Sequence, residues 1–223
     1  MRQRHIYALA VFTALVVAAA LSIGGQSSRA TSPIPEEAVS VEDPARPFLG
    51  SADAPVVMVV FTDYQCPFCK KFFETRLPAL REDFTEAGQL RIVVRDMPLA
   101  RHRFAEPAAG AAACADRQGA YWQMHEALYA RQLVLPETDL GELARSLSID
   151  GALFDACMED DIVRQRLRED MDAAMGAKIG GTPAFLIGIP MDGRIVGRVI
   201  VGYQPLTVYE TDIREYLAGT ASP

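Results

Sequence analysis

The feature that most constrains this chain is a change of hydrophobic period around residue 62. Val56-Val57-Met58-Val59-Val60-Phe61 is a continuous apolar, β-branched run between Pro55 and Asp63, the pattern of a strand covered on both faces. From Pro67 onward Phe68, Phe72, Leu77, Leu80 and Phe84 recur at helical spacing until Gly88, which predicts a helix following the strand at once. Pro78 falls inside that helix and should kink it, because it removes a backbone donor and crowds the preceding turn. Leu90 to Arg95 reads as a second strand, parallel to the first if the helix is a crossover.

From Phe104 to about Lys178 no strand pattern occurs. Amphipathic or Ala-rich segments cover Ala105 to Arg117, Tyr121 to Ala130, Leu140 to Ser146, Leu153 to Glu159 and Ile162 to Met175. Such a block is too long for a plain crossover and reads as a helical subdomain, about residues 103–178, inserted in an α/β core. Tyr121, Trp122, Met124 and Leu128 share helical spacing and read as core. Ala184 to Ile187 and Ile195 to Val201 then form a β-hairpin with Asp192-Gly193 at its tip, and a helix from Leu206 to Leu217 closes the chain. The order β-α-β, helical block, β-β-α predicts one mixed sheet in a domain spanning residues 48–219.

The N-terminal stretch differs in kind. Arg2, Arg4 and His5 precede an 18-residue apolar run from Ile6 to Ile23, broken only by Thr13 and Ser22. That length lies between a secretory leader and a bilayer span. Ser28-Arg29-Ala30 permits cleavage, while the length of the run favours an uncleaved anchor; both keep the basic flank in the cytoplasm and deliver the remainder outside it. Residues 31–47, rich in Ser, Pro, Glu and Ala, read as a disordered tether.

With the three Arg of residues 1–30 set aside, 19 basic residues face 29 acidic ones, a net charge of −10. No basic stripe exists, which argues against nucleic acid and for a solvated acidic surface. All four cysteines, 66, 69, 114 and 157, lie in the exported portion, where disulfides persist.

Cys66-Pro67-Phe68-Cys69 sits where strand passes into helix, and this position gives it chemistry. Free backbone N–H groups and the positive end of the helix dipole favour a thiolate at the first cysteine, whose pKa can fall from about 8.5 to about 3.5–7.5. Cys66 is therefore the expected nucleophile. Pro67 suits the first helical turn, where its missing N–H costs nothing. Cys69, one turn further in, should be more shielded and act as the resolving thiol. An inert disulfide of so short a span would constrain little. A zinc site needs two further ligands, and His102 and His125 form no metal-spaced pair with another Cys or His; no metal or other cofactor is expected. Gly180-Gly181-Thr182-Pro183 precedes the third long strand, and by spacing alone Pro183 would be an ordinary trans residue.

Phe61-Thr62-Asp63-Tyr64-Gln65-Cys66-Pro67-Phe68-Cys69, with Gly181-Thr182-Pro183-Ala184-Phe185 more than a hundred residues later, resembles the DsbA-like branch of the thioredoxin-fold proteins. Leu49-Gly50, Asp53-Ala54-Pro55, Pro98-Leu99 with His102, and Ala113-Cys114-Ala115 with Gln118-Gly119 extend the resemblance over about Phe48 to Leu217. It implies a thioredoxin-like fold, a cis Pro183 against the active-site cysteines, and a Thr182 backbone that pairs with an extended substrate segment. It also implies a disulfide between Cys114 and Cys157, which would close a 44-residue loop and stabilise by about 4 kcal/mol; a second redox pair or two free thiols are the alternatives. Asp63 is a candidate proton relay and, on the plainer reading, a turn cap. His102 reads as packed or solvated.

The resemblance implies a protein thiol:disulfide oxidoreductase of the periplasm or cell envelope. Its expected substrates are exported, unfolded or reduced proteins, and a membrane redox partner would reoxidise it. Dithiol oxidase is the leading direction and reductase or dedicated thiol donor the second. An isomerase would need a dimerising N-terminal domain, for which the tether leaves no room. In a different class, paired thiolates could carry Cu(I) as a metallochaperone.

Overall fold

The computed structural model of the chain describes residues 34, 37–43 and 45–220. The apolar run 6–23 and the Ser28-Arg29-Ala30 site lie outside the described residues.

A six-stranded sheet forms the centre, built from β1 (Val39–Glu42), β2 (Phe48–Leu49), β3 (Val56–Thr62), β4 (Leu90–Asp96), β5 (Ala184–Met191) and β6 (Arg194–Val201), in the order β1-β6-β5-β3-β4-β2. β3 runs parallel to β4 and antiparallel to β5. All seven of its residues are buried, because its alternating side chains feed two cores. Val56, Met58 and Val60 meet Phe72, Leu80, Phe84, Tyr209 and Ile213 on one face. Val57, Val59 and Phe61 meet Ala174, Ala177 and Leu186 on the other. Lengthening into β5 carries Pro190 opposite Ile195, beyond the last residue of β5 that pairs with β3, so its missing N–H breaks no ladder bond there.

α1 (Pro67–Thr75) follows β3 and stops at Arg76; a short α2 (Leu77–Leu80) restarts with Pro78 in its first turn and passes into a π-helical turn over Arg81–Thr85. The expected kink is thus a full break at Arg76, just ahead of Pro78, which takes a place in the first turn of the new helix where its missing N–H costs no bond. The helical block comprises α3 (Ala105–Asp116), α4 (Tyr121–Ala130), a 3₁₀ segment (Gln132–Glu137), α5 (Leu140–Ser146), α6 (Gly151–Glu159) and α7 (Asp161–Gly176). Asp139, Asp150 and Asp160 cap α5, α6 and α7 by accepting backbone N–H bonds, which fixes each helix start. α8 (Leu206–Thr220) closes the chain. Together these elements form the thioredoxin-like α/β fold with an inserted helical subdomain.

The β5–β6 turn is a two-residue hairpin in which Asp192 and Gly193 both have positive φ, 51° and 74°, as a right-twisted ribbon requires. Opposite each other in this ribbon, Gly188 and Gly197 approach so closely that a Cβ on Gly188 would lie 2.1 Å from the Val196 carbonyl oxygen.

One segment departs from expectation. Val39–Glu42, read as part of a disordered tether, is an edge strand paired antiparallel to β6, with Val41 buried at 2% exposure. Four residues with a single inward side chain carry no detectable period; the partner strand, more than 150 residues away, supplies the order.

Candidate functional site

The turn between β3 and α1 is fixed from three directions. The Asp63 carboxylate is buried and accepts three bonds: Oδ1 from the Gln65 N–H at 2.7 Å, Oδ2 from the Leu99 N–H at 2.8 Å and from His102 Nδ1 at 2.9 Å. Its own carbonyl accepts from the Cys66 N–H at 3.0 Å. The Gln65 side chain accepts from the Phe104 N–H at 2.6 Å, and Gln132 Nε2 donates to the carbonyls of Tyr64 and Cys66 at 2.8 and 3.0 Å. Asp63 is therefore the cap of this turn and its tie to the loop after β4. His102 is part of that tie.

Cys66 is the N-cap of α1, with extended φ/ψ of −77°/116° and Pro67 immediately inside the helix. Cys66 and Cys69 are both free thiols and both buried, at 3% and 0% exposure, so the expected contrast in shielding is small. The exposed members of the motif are Pro67 and Phe68, the latter at 57%.

The Thr182–Pro183 bond is cis, as the resemblance implied. Cys66 Sγ lies 3.3 Å from the Thr182 carbonyl oxygen, to which it donates when protonated, and the Pro183 carbonyl accepts from the Gly202 N–H at 2.8 Å, which ties this loop to the end of β6. The Thr182 hydroxyl is buried without a conventional partner yet lies beside both sulfurs and acts to lower both thiols. Its proton is free to turn to whichever sulfur carries charge.

Electrostatics split the pair. The Cys66 thiol falls to about 5, chiefly because the Cys69 thiol donates to it, with the Thr182 hydroxyl and the backbone N–H groups of Cys69 and Phe68 adding to the effect against the opposing cost of burial. The Cys69 thiol is pushed well above its ordinary value by burial and by that same donation. Helix-terminal donors contribute as expected, but the neighbouring thiol is the larger cause. The arrangement holds one thiolate just beneath the exposed Pro67 and Phe68 and one protonated thiol beside it.

Cys114 and Cys157 are bonded to each other, joining α3 to α6 with their Cα atoms 5.7 Å apart. Three participants had no local signal in the sequence: Gln132, which holds the turn's carbonyls, and the pair Thr62 and Tyr129, whose hydroxyls lie 2.6 Å apart behind Cys69. Their spacing in sequence, 67 residues, hides the contact. A groove of about 510 Å³, lined by Arg46, Phe48, Arg91, Tyr121 and Trp122 among others, includes neither redox cysteine. Among the described residues no group of three or more His, Cys, Asp or Glu is placed to hold a metal ion, and no helix is long and apolar enough to cross a membrane.

Comparison with known proteins places these features in context. A family model described as thioredoxin matches residues 42–197. Na(+)/H(+) antiporter NhaA 3 of Salinispora tropica is 37% identical over 147 residues, covering 65% of this chain and 22% of the antiporter; the chain thus spans less than a quarter of the length of the first curated relatives it matches. Probable disulfide bond formation protein D of Bacillus anthracis is 27% identical over 147 residues, 62% of this chain and 68% of that protein. Among solved structures, α-DsbA1 of Wolbachia pipientis superposes with a TM-score of 0.68 at 21% identity over 81% of this chain and 95% of that one. BdbD of Bacillus subtilis, in its oxidised form, gives 0.65 at 26% identity over 81% and 98%.

Proposed function

Because this chain belongs to the thioredoxin family, in its DsbA-like branch, we propose that it is a thiol:disulfide oxidoreductase working outside the cytoplasm as a dithiol oxidase of exported proteins. The observation that carries this reading is the divided pair: a Cys66 thiol brought down to about 5 in front of a Cys69 thiol held protonated.

In the oxidised protein a substrate thiolate attacks the Cys66 sulfur. The Cys66–Cys69 bond breaks, Cys69 leaves with the electron pair and takes a proton, and a Cys66–substrate disulfide forms. The second substrate thiol, deprotonated, attacks the substrate sulfur of that bond and expels Cys66. The substrate leaves with a new disulfide and has lost two protons; Cys69 holds one and the other goes to water, because Cys66 remains a thiolate at neutral pH. Stabilising this departing thiolate favours the reduced protein and hence oxidation of the substrate. Supporting the same direction, a relative carries the name disulfide bond formation protein D.

Cis Pro183 and the Thr182 backbone lie beside Cys66 and would pair with the extended segment around the substrate cysteine by strand addition, with Pro67 and Phe68 forming the rim. Export follows from the basic-flanked run of residues 6–23, which would serve as leader or anchor, and agrees with the Cys114–Cys157 bond, since such bonds persist in oxidising compartments. Reoxidation then falls to a membrane-bound redox partner.

Protein oxidised at Cys66–Cys69 and mixed with a reduced two-cysteine peptide should yield, on acid quenching, an adduct at Cys66 and then cyclic peptide in one-to-one yield. Peptide left reduced, or an adduct mapped to Cys114 or Cys157, would overturn the reading.

A further inference from the structure

The buried sulfur poses the harder chemical problem in this site. When the Cys66–Cys69 bond breaks, negative charge develops on Cys69, which is fully buried, and a buried charge without a donor raises the barrier for the step that creates it. Among the described residues no charged side chain is bonded to this sulfur. The groups that face it are Cys66 of its own helix, Thr182 of the cis-proline loop, Thr62 at the end of β3 and Tyr129 of α4. The Thr62 hydroxyl faces the Cys69 sulfur and acts to lower that thiol. Behind Thr62, the Tyr129 hydroxyl lies 2.6 Å from its oxygen.

Either hydroxyl can donate across the 2.6 Å contact, and the direction decides where the Thr62 proton points. A phenol has one proton. Tyr129 has two acceptors, the Thr62 oxygen at 2.6 Å and the Asp63 carbonyl at 3.4 Å, and the shorter contact is the stronger one. Donating to Thr62, Tyr129 leaves the Thr62 proton free to point at sulfur. Burial holds the Tyr129 phenol well above its ordinary range, so it stays a donor. The ring itself is wedged against Tyr64, Phe73 and His125, with centroids 4.9, 5.3 and 4.9 Å away, which fixes the position of its oxygen.

We propose that Thr62 and Tyr129 form a two-hydroxyl donor chain to the Cys69 sulfur, in which Thr62 is a catalytic residue touching a reacting atom and Tyr129 is a positioning residue that orients the Thr62 proton. The proposal rests on the oxidoreductase reading above. The chain stabilises the electron pair that Cys69 carries away when a substrate thiolate attacks Cys66, and equally the thiolate from which Cys69 re-forms the bond. No proton need pass along it; the proton that finally neutralises Cys69 derives from the thiols being oxidised. Because Cys69 is protonated in the resting dithiol, the chain acts on rates in both directions and leaves the equilibrium between disulfide and dithiol unchanged.

Tyr129→Phe keeps the ring and removes only the hydroxyl; Thr62→Val removes the donor itself, and Thr62→Ser retains it. Stopped-flow attack of a reduced peptide on the oxidised protein should slow about ten-fold in Tyr129→Phe and at least as much in Thr62→Val, the expected loss for one hydrogen bond to a developing charge, and should recover in Thr62→Ser. The reduction potential and the Cys66 thiolate titration should not move. In a Cys66→Ser background, Tyr129→Phe should shift the Cys69 thiolate absorbance to higher pH. Rates unchanged in both hydroxyl-deleting variants, or a slowing accompanied by an equal shift of the potential, would overturn the proposal. Absence of any peptide oxidation by the unsubstituted protein would instead defeat the oxidoreductase reading, so the two failures are distinct.

Discussion

The two cysteine pairs of this protein are built from the same atoms and placed in opposite circumstances. Cys66 and Cys69 stand one turn apart on α1, where strand meets helix, and their surroundings pull the two thiols in opposite directions, one down to about 5 and one up. Cys114 and Cys157 come from α3 and α6, are both buried, and line a groove of the helical block with Arg117, Gln118 and Leu153. Short span, asymmetric donors and an exposed Phe68 make a bond that is easy to break and remake. The second bond has a long span and ties α3 to α6. What distinguishes a reactive disulfide from a structural one is therefore the polarity of its immediate surroundings and the loop it closes.

The largest test of this contrast is exchange of roles by mutation. Cys66→Ser should abolish oxidation of a reduced peptide while leaving the thermal midpoint nearly unchanged. Cys114→Ala/Cys157→Ala should retain the peptide-oxidation rate and lose about 2–4 kcal/mol of stability in urea, as expected for removing a bond that closes a long loop. Retained stability together with lost activity in the double variant would break the contrast.

The second test is pH. A thiol lowered from 9.0 to about 5 stabilises the folded dithiol form most at pH above its unfolded value, and this stabilisation is lost as pH falls through about 5. Alkylation of Cys66 in the reduced protein should accordingly stay fast from pH 8 down and decline with a midpoint of about 5. A midpoint of about 8.5, that of an ordinary thiol, would remove the basis of the contrast.

A smaller effect belongs to Asp96, paired in register with Thr62 at the end of β4. Burial first, then the nearby Asp170 carboxylate, raises it from 3.8 to about 7. An acid raised on folding costs stability that is absent below its unfolded pKa and fully felt above its folded one. Stability should thus fall as pH rises from about 4 to about 7, and Asp96→Asn should flatten that slope in urea titrations; an unchanged slope would assign it to other groups.

Much of this arrangement was legible in the sequence, and the exceptions share a cause. The apolar run of β3, the helix after it and the Asp192-Gly193 hairpin are written in local period and turn chemistry, so they could be read directly. The redox motif gained its meaning from that local context. The Thr182–Pro183 geometry and the Cys114–Cys157 pairing came only through family resemblance, because nothing within a few residues of either encodes it. Strand β1 escaped because one buried valine in four residues has no period. Gln132, Thr62 and Tyr129 escaped because each acts through a partner more than 60 residues away, and a threonine at a strand end or a tyrosine in an apolar helix reads as core until the two hydroxyls are seen together.

The most direct test of the account is a redox titration of both pairs in one glutathione series, followed by mass after alkylation. Cys66/Cys69 should titrate near −120 mV, the value of DsbA, while Cys114–Cys157 stays oxidised throughout, as structural disulfides with potentials below about −300 mV do. A Cys66/Cys69 potential near −270 mV, the value of thioredoxin, or a single transition in which both pairs are reduced together, would contradict it.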